Sequence, residues 1–141
     1  FAHHDAHANE ETRQFWINLG YDCIENPDEY GVDALVKGKG RKFGCEVEVK
    51  TGWHGPEFNF PTFHIPFRKK KFTKEKVIVF VLNNAISHAA VVGRNDVVTS
   101  PVVTVPNKFV PAGDLFYHVN VQDATIINLL AGKGSPNRKT A

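Results

Sequence analysis

The 141-residue chain lacks any apolar run close to the roughly 20 residues that a membrane-spanning helix needs. It has only two cysteines, Cys23 and Cys45, and neither forms a metal-ligand spacing with the histidines. Both lie in apolar strand patterns, so we expect buried free thiols and a cytoplasmic protein. No secretory segment is evident at the N-terminus. The sequence has neither a glycine-rich nucleotide-binding loop nor a nucleophile elbow, so it does not support a kinase or an esterase.

The charged residues are unevenly distributed, although the net charge is only +2. Residues 1–36 carry one positive and eight negative side chains, whereas residues 37–76 carry eleven positive and four negative ones. An acidic lobe can hold a cation, and a basic strip attracts phosphates. Two ordinary solvated faces would have the same composition, so the asymmetry alone does not decide the function.

Hydrophobic periodicity predicts a single α/β domain. Helical spacing predicts a helix over residues 5–19 that ends at Gly20. We expect strands at residues 21–25, 32–37, 43–51, 76–82, 88–92, 102–105 and 115–119, and a short final helix at residues 122–130. Glycines and prolines exclude one continuous helix over residues 52–75, although a short helical turn from Pro66 is compatible with them. Residues 132–141 are expected to form a flexible basic tail.

Three charged residues, Glu46, Glu48 and Lys50, alternate along one of these strands. Because strand side chains alternate between faces, all three share one face, opposite to the apolar residues between them. A tight turn at residues 38–40 would fold this strand against the preceding segment, which carries Asp33. Two carboxylates suit a hard divalent cation, and a nearby ammonium suits a water or a phosphate.

Asp33 followed by Glu48-Val49-Lys50 resembles the acid…(D/E)-x-K core of the PD-(D/E)xK nuclease superfamily. The resemblance extends over about residues 5–82, and it departs from the motif at Val32, where the motif has proline. It implies a restriction-endonuclease-like fold over residues 1–131, with a central mixed β-sheet flanked by helices. It also implies a Mg²⁺-dependent DNA endonuclease in which Mn²⁺ substitutes for Mg²⁺.

The same resemblance implies a role for each residue of the motif. Asp33 and Glu48 would bind the metal together with the backbone carbonyl of Val49, and Lys50 would be the catalytic lysine. Lys50 could orient or deprotonate the attacking water, or stabilise the charge of the transition state, and the sequence does not separate these roles. Glu46 is additional to the motif. It could bind a second metal, contact DNA through one, or simply be exposed at the start of the strand.

Many members of the superfamily add a glutamate from the first helix, and Glu10 and Glu11 are the candidates here. Glu11 lies four residues before Phe15 and eight before Leu19, so helical phase turns it toward the sheet. Glu11 is therefore favoured as the helix carboxylate over Glu10.

Aromatic and basic residues are interleaved over residues 53–72. Aromatic rings can stack on unpaired bases, and most of these phenylalanines could equally be core residues. The basic run is the better candidate for phosphate contacts with DNA, and it consists of Arg68, Lys69, Lys70 and Lys71. His54 and His64 flank this segment, and either could reach the site.

The leading interpretation is a homodimeric Mg²⁺-dependent DNA endonuclease with no membrane partner. Pairing two subunits would supply two cuts and additional DNA surface. A non-catalytic nucleic-acid-binding domain that keeps the nuclease fold and an RNA-processing nuclease are the alternatives. The presence of Asp33, Glu48 and Lys50 together argues against the non-catalytic alternative.

Overall fold

The computed structural model describes residues 2–28, 31–56, 58, 60–67, 76–106 and 111–129. The elements are α1 (Ala2–Asn18), β1 (Asp22–Glu25), β2 (Ala34–Gly38), β3 (Arg41–Lys50), β4 (Thr62–Pro66), β5 (Val77–Asn83), β6 (His88–Gly93), α2 (Arg94–Val98), β7 (Val102–Val105), β8 (Asp114–Asn120) and β9 (Thr125–Asn128). The seven strands expected from the sequence are confirmed, each to within two residues at its ends.

The strands form two sheets. The larger sheet has six strands in the order β1-β2-β3-β5-β6-β9, and the smaller has three in the order β4-β8-β7. In the larger sheet β3 and β5 are parallel, and all other neighbours are antiparallel. The mixed sheet expected from the sequence is therefore confirmed. β5 lies inside this sheet, as its nearly continuous apolar sequence predicts.

One face of the six-stranded sheet packs against α1. The buried cluster on this face combines residues of the helix with alternate strand residues, among them Trp16, Val36, Cys45 and Phe80. Phe80 is fully buried, and its ring lies 5.6 Å from that of Trp16, centroid to centroid. The apolar side of β3 therefore faces the helix.

The opposite face of the six-stranded sheet packs against the three-stranded sheet. Val79 and Val81 of β5 meet Ile65 of β4 and Val119 of β8 in a second buried cluster. The short helix α2 adds Val97 to this cluster. Helices thus flank both faces of the mixed sheet, as expected. The three-stranded sheet is an addition that the sequence did not indicate.

Part of the segment expected to be irregular is a strand. Residues 62–66 form β4, which pairs with β8 in antiparallel register. Pro66 ends β4, which lies at the edge of its sheet, and an edge position tolerates a residue that has no N–H group. The prolines and glycines of the segment therefore interrupt a helix, as predicted, but they do not prevent a short edge strand.

The prediction of a helix over residues 122–130 is wrong. A turn of 3-10 helix (Val121–Asp123) leads into β9, which pairs with β6 and closes one edge of the six-stranded sheet. Thr125, Ile126 and Ile127 are β-branched, and such residues favour a strand once a partner strand is available. The sequence did not predict the helix α2, because a helix of five residues shows almost no hydrophobic periodicity.

Candidate metal and phosphate site

The β2–β3 hairpin positions the acidic residues. Its two turn residues, Lys39 and Gly40, have positive φ angles of 52° and 74°, as a type I′ turn requires. The turn predicted from the sequence is therefore confirmed. The register pairs Ala34, the first residue of β2, with Cys45 of β3. The preceding residue, Asp33, consequently lies where the two strands separate.

Two hydrogen bonds tie Asp33 to β3 at this junction. The Asp33 backbone N–H donates to Glu46 Oε1 over 3.0 Å. The Val47 backbone N–H donates to Asp33 Oδ2 over 2.7 Å. Each bond joins a carboxylate oxygen to a backbone N–H, so the backbone of the hairpin fixes where both carboxylates lie. Asp33 is half-buried and Glu46 is 5% exposed.

The part of β3 beyond this junction has a strand neighbour on one side. Residues 46–50 pair with β5, whereas the ladder to β2 ends at Ala34 and Cys45. Backbone groups of alternate residues point to the same side, so Val47 and Val49 both direct their C=O groups toward the side where Asp33 lies. This edge offers two carbonyl oxygens on the side where Asp33 lies, including that of Val49, the expected metal ligand.

Glu48 and Lys50 follow Glu46 on the same face of β3, as the alternation predicts. Val47 and Val49 pack on the other face, in the cluster beneath α1. Each step of two residues advances about 6.6 Å along a strand. The structure therefore brings Asp33 directly to Glu46, and Glu48, which the sequence motif pairs with Asp33, lies one such step further along.

The residues at the junction fit a magnesium ion. Mg²⁺ keeps several waters and binds proteins through one or two carboxylates, with oxygen as the donor atom. Asp33 and Glu46 supply two carboxylates, and the edge of β3 supplies carbonyls. Within the described residues, no group of three or more His, Cys, Asp or Glu side chains could hold a metal. The site would thus depend on two acids, backbone carbonyls and water.

The two helix glutamates have different surroundings. Glu11 is buried, at 8% exposure, and its Oε2 lies 3.8 Å from His7 Nε2. Glu10 is exposed and accepts a hydrogen bond of 3.0 Å from Gln14. Helical phase therefore turns Glu11 inward, as expected. Glu10, however, lines a pocket of about 320 Å³ that Asp33 also lines.

A pair of histidines lies near Lys50. His64 of β4 and His118 of β8 are directly opposite in register, and His64 Nε2 is 2.9 Å from His118 Nδ1. Burial lowers the pKa of His64, and His118 and the Lys50 charge lower it further. Of the two expected histidines, His64 is the one near the site. Sequence reasoning missed His118, because only the strand pairing joins residues 54 positions apart.

The lowered pKa of His64 predicts that the protein is less stable in mild acid. In the unfolded chain this histidine takes up its proton near pH 6.5, whereas in the folded protein it does so at a lower pH. As the pH falls below about 6.5, the unfolded state binds more protons and the free energy of unfolding decreases. His64→Gln should remove part of this decrease, and urea denaturation at several pH values measures it. His54→Gln, at an exposed position, is the control. A wild-type pH dependence in His64→Gln would contradict this assignment.

Both cysteines are buried free thiols, as the sequence predicts. Burial raises the pKa of Cys23 and of Cys45. The expected DNA-binding residues Arg68, Lys69, Lys70 and Lys71, and the expected tail over residues 132–141, lie outside the described residues.

The chain matches no protein-family model, and no curated protein matches it significantly. In the described part of the chain, no helix is long and apolar enough to cross a membrane. The geometry of the hairpin and the motif that it carries are therefore the basis for a proposed function.

Proposed function

We propose that this protein is a Mg²⁺-dependent endonuclease of the PD-(D/E)xK type, which hydrolyses phosphodiester bonds in DNA. The observation that carries this proposal is a pair of hydrogen bonds where β2 and β3 separate, in which Glu46 accepts from Asp33 N–H and Asp33 accepts from Val47 N–H. Glu48 and Lys50 continue the same face of β3 away from this pair. Acids at one end of a strand face and an ammonium at the other suit a cation and the phosphate bound to it.

Each residue has a proposed task. Asp33 and Glu46 would hold the cation, and Glu48, one strand step further along β3, would complete the ligand set directly or through water. The carbonyl of Val47 or Val49 contributes a neutral ligand. A bound Mg²⁺ would supply charge stabilisation and a water of lowered pKa. Lys50 orients that water or stabilises the charge that develops on the phosphate.

The ligand set can be tested by neutralising the two glutamates separately. Gln is nearly isosteric with Glu, and its side-chain oxygen can still accept the hydrogen bond from Asp33 N–H, so Glu46→Gln should fold. Because Glu46 is the acid joined to Asp33, we expect Glu46→Gln to weaken Mg²⁺ binding more than Glu48→Gln does. We expect a loss above about tenfold, since changes even around metal ligands cost about 10–100-fold.

Calorimetric titration with Mg²⁺ in the absence of DNA measures this loss. Asp123→Asn is the control, because Asp123 is exposed and lies next to β9, at the far edge of the six-stranded sheet. If Glu48→Gln weakens binding more strongly, then Asp33, Glu48 and the Val49 carbonyl are the ligand set, as the sequence motif implies. If neither variant weakens binding, the metal site is not at this junction.

One assay separates the proposed endonuclease from its alternatives. The protein is incubated with duplex, single-stranded, flapped and four-way DNA, and with RNA, each with and without Mg²⁺. Cleavage of DNA that requires Mg²⁺ is the expected result. Cleavage of RNA alone would indicate an RNA-processing nuclease, and tight binding without cleavage would indicate a non-catalytic domain.

We also propose that the enzyme is a cytoplasmic homodimer, with its free thiols suited to a reducing compartment. Light scattering tests the dimer.

A further inference from the structure

A separate cavity of about 300 Å³ lies at the carboxyl end of β3, beyond the acidic junction. Its principal lining residues are Lys50, Trp53, Phe58, Phe60, Phe63 and His64. The volume lies at the lower end of the range of about 300–1,000 Å³ for small-molecule sites. The lining is therefore aromatic, with the proposed catalytic lysine and one histidine at the same cavity.

Phe58 is at the centre of the aromatic wall. Its ring centroid lies 4.7 Å from that of Trp53, 5.6 Å from that of Phe63 and 6.2 Å from that of Phe60, each in an edge-to-face arrangement. Trp53 and Phe63 are buried, at 2% and 4% exposure, so they hold the wall in place. Phe60 is 60% exposed and presents its ring to solvent. An aromatic ring in this position contributes little to the core but is available to a ligand.

Hydrogen bonds fix the backbone that carries this wall. Trp53 N–H donates to the Lys50 carbonyl over 3.0 Å, and the Trp53 carbonyl accepts from Asn84 N–H over 2.8 Å. The side chain of Asn83, at the end of β5, donates to the Gly55 carbonyl over 3.2 Å. The segment from Trp53 to Gly55 is thereby tied to the end of β5, which fixes the base of the aromatic wall.

The chemistry of the lining favours a nucleobase as the occupant. Every nucleobase has a flat π-face that stacks on aromatic side chains, and each is joined through its sugar to a phosphate that a lysine attracts. Lys50 lies close enough to His64 to lower the pKa of that residue, so positive charge is present at the aromatic wall. A base inside a continuous duplex is stacked between its neighbours and does not offer its face to this wall. Only an unpaired or extruded base can present its face to the aromatic wall.

We propose that this cavity binds one unpaired nucleobase of the substrate strand, with the adjoining phosphate beside Lys50. This inference rests on the nuclease function proposed above and specifies its substrate class. The preferred substrate then has a single-stranded or extruded nucleotide next to the bond that is cut, as in a flap, a junction or a single strand.

Phe60→Ala tests the proposal, because it removes the exposed ring and leaves the buried wall. The probe is a single-stranded oligonucleotide that carries the fluorescent base 2-aminopurine, with a blunt duplex of the same length for comparison, in EDTA to prevent cleavage. We expect wild type to quench the probe and to bind it more tightly than the duplex. Loss of stacking should weaken binding of the single strand about 5- to 150-fold, which corresponds to the energy of one stacked base. Binding of the duplex should not change.

Two further variants make the result specific. Phe60→Trp should restore quenching, because it restores a stacking surface. Ile126→Ala removes a side chain that is 41% exposed on β9, at the edge of the six-stranded sheet farther from β3, and should leave both affinities unchanged. If Phe60→Ala binds the single strand as wild type does, or loses affinity equally for both DNAs, the base pocket is refuted. Cleavage that persists in that case leaves the nuclease proposal intact. Conversely, the protein could quench the probe in a Phe60-dependent way and yet cleave no nucleic acid. That result would contradict the proposed nuclease function and would leave the proposed base pocket standing.

Discussion

Asp33→Asn should reduce Mg²⁺-dependent cleavage by at least about 100-fold while leaving the protein folded. The substitution keeps a side-chain oxygen that can accept the 2.7 Å hydrogen bond from Val47 N–H, so the junction between β2 and β3 is retained. It removes one full negative charge from the proposed cation site. A bound metal supplies several kcal/mol of charge stabilisation, and about 1.36 kcal/mol corresponds to a tenfold change in rate.

Cleavage of DNA at saturating Mg²⁺ and calorimetric binding of Mg²⁺ should both decrease in Asp33→Asn. The free energy of unfolding, measured with urea in EDTA, should stay close to that of wild type, and Asp123→Asn should match wild type in all three measurements. Full activity in Asp33→Asn, or wild-type cleavage in the presence of EDTA, would show that the metal mechanism is wrong. A large loss of stability would instead show that Asp33 is chiefly a structural residue of the hairpin.

Lys50→Ala should abolish most cleavage and should weaken DNA binding by no more than the loss of one phosphate contact. Lys50 lies on the polar face of β3, opposite the cluster beneath α1, so its truncation removes little from the core. A positioned proton-transfer group contributes about 10²–10⁴-fold to rate, and loss of a charge-stabilising group costs about 10²–10³-fold. We therefore expect a reduction of at least about 100-fold in kcat.

Lys50→Arg separates the two roles of the lysine. Arginine keeps the positive charge but does not lose its proton in proteins. Activity that Arg largely restores would indicate charge stabilisation, whereas activity that only Lys supports would indicate proton transfer. Wild-type turnover in Lys50→Ala would exclude Lys50 from catalysis.

A measurement without substrate checks the position of Lys50 independently. The Lys50 charge contributes to the lowered pKa of His64. Lys50→Ala should therefore raise the pKa of His64, which NMR titration of the imidazole signals can follow. An unchanged pKa of His64 would mean that the lysine and the histidine do not share the cavity at the end of β3, and the proposed base pocket would lose its charged group.

The hairpin shows how much of the site local sequence rules predict. Residues 38–40 specify a tight turn, because glycine adopts positive φ without steric cost, and Gly40 does so here. The alternation of β3 then places Glu46, Glu48 and Lys50 on one face. The turn and the alternation depend on neighbouring residues alone, so the sequence determines both. The sequence also determines the mixed α/β class and the apolar strand β5.

Which acids come together was decided only by the tertiary structure. A motif specifies an order along the chain, whereas the register between β2 and β3 decides that Asp33 bonds to Glu46 and not to Glu48, one strand step away. In the same way, helical phase turns Glu11 inward, but the packing of α1 decides that Glu10 lines the pocket of Asp33. Register and helix packing depend on contacts between distant segments, which no local pattern contains.

The three-stranded sheet and the cavity beside it are the clearest case of this division. β4 has two hydrophobic residues that alternate with polar ones, a pattern too short to distinguish a strand from a loop. It becomes a strand because β8, more than fifty residues later, pairs with it and buries Phe63 and Ile65. That pairing also joins His64 to His118 and brings His64 to Lys50. The sequence by itself determined the charged strand face and the turn before it, and long-range strand pairing decided which aromatic and basic groups surround that face.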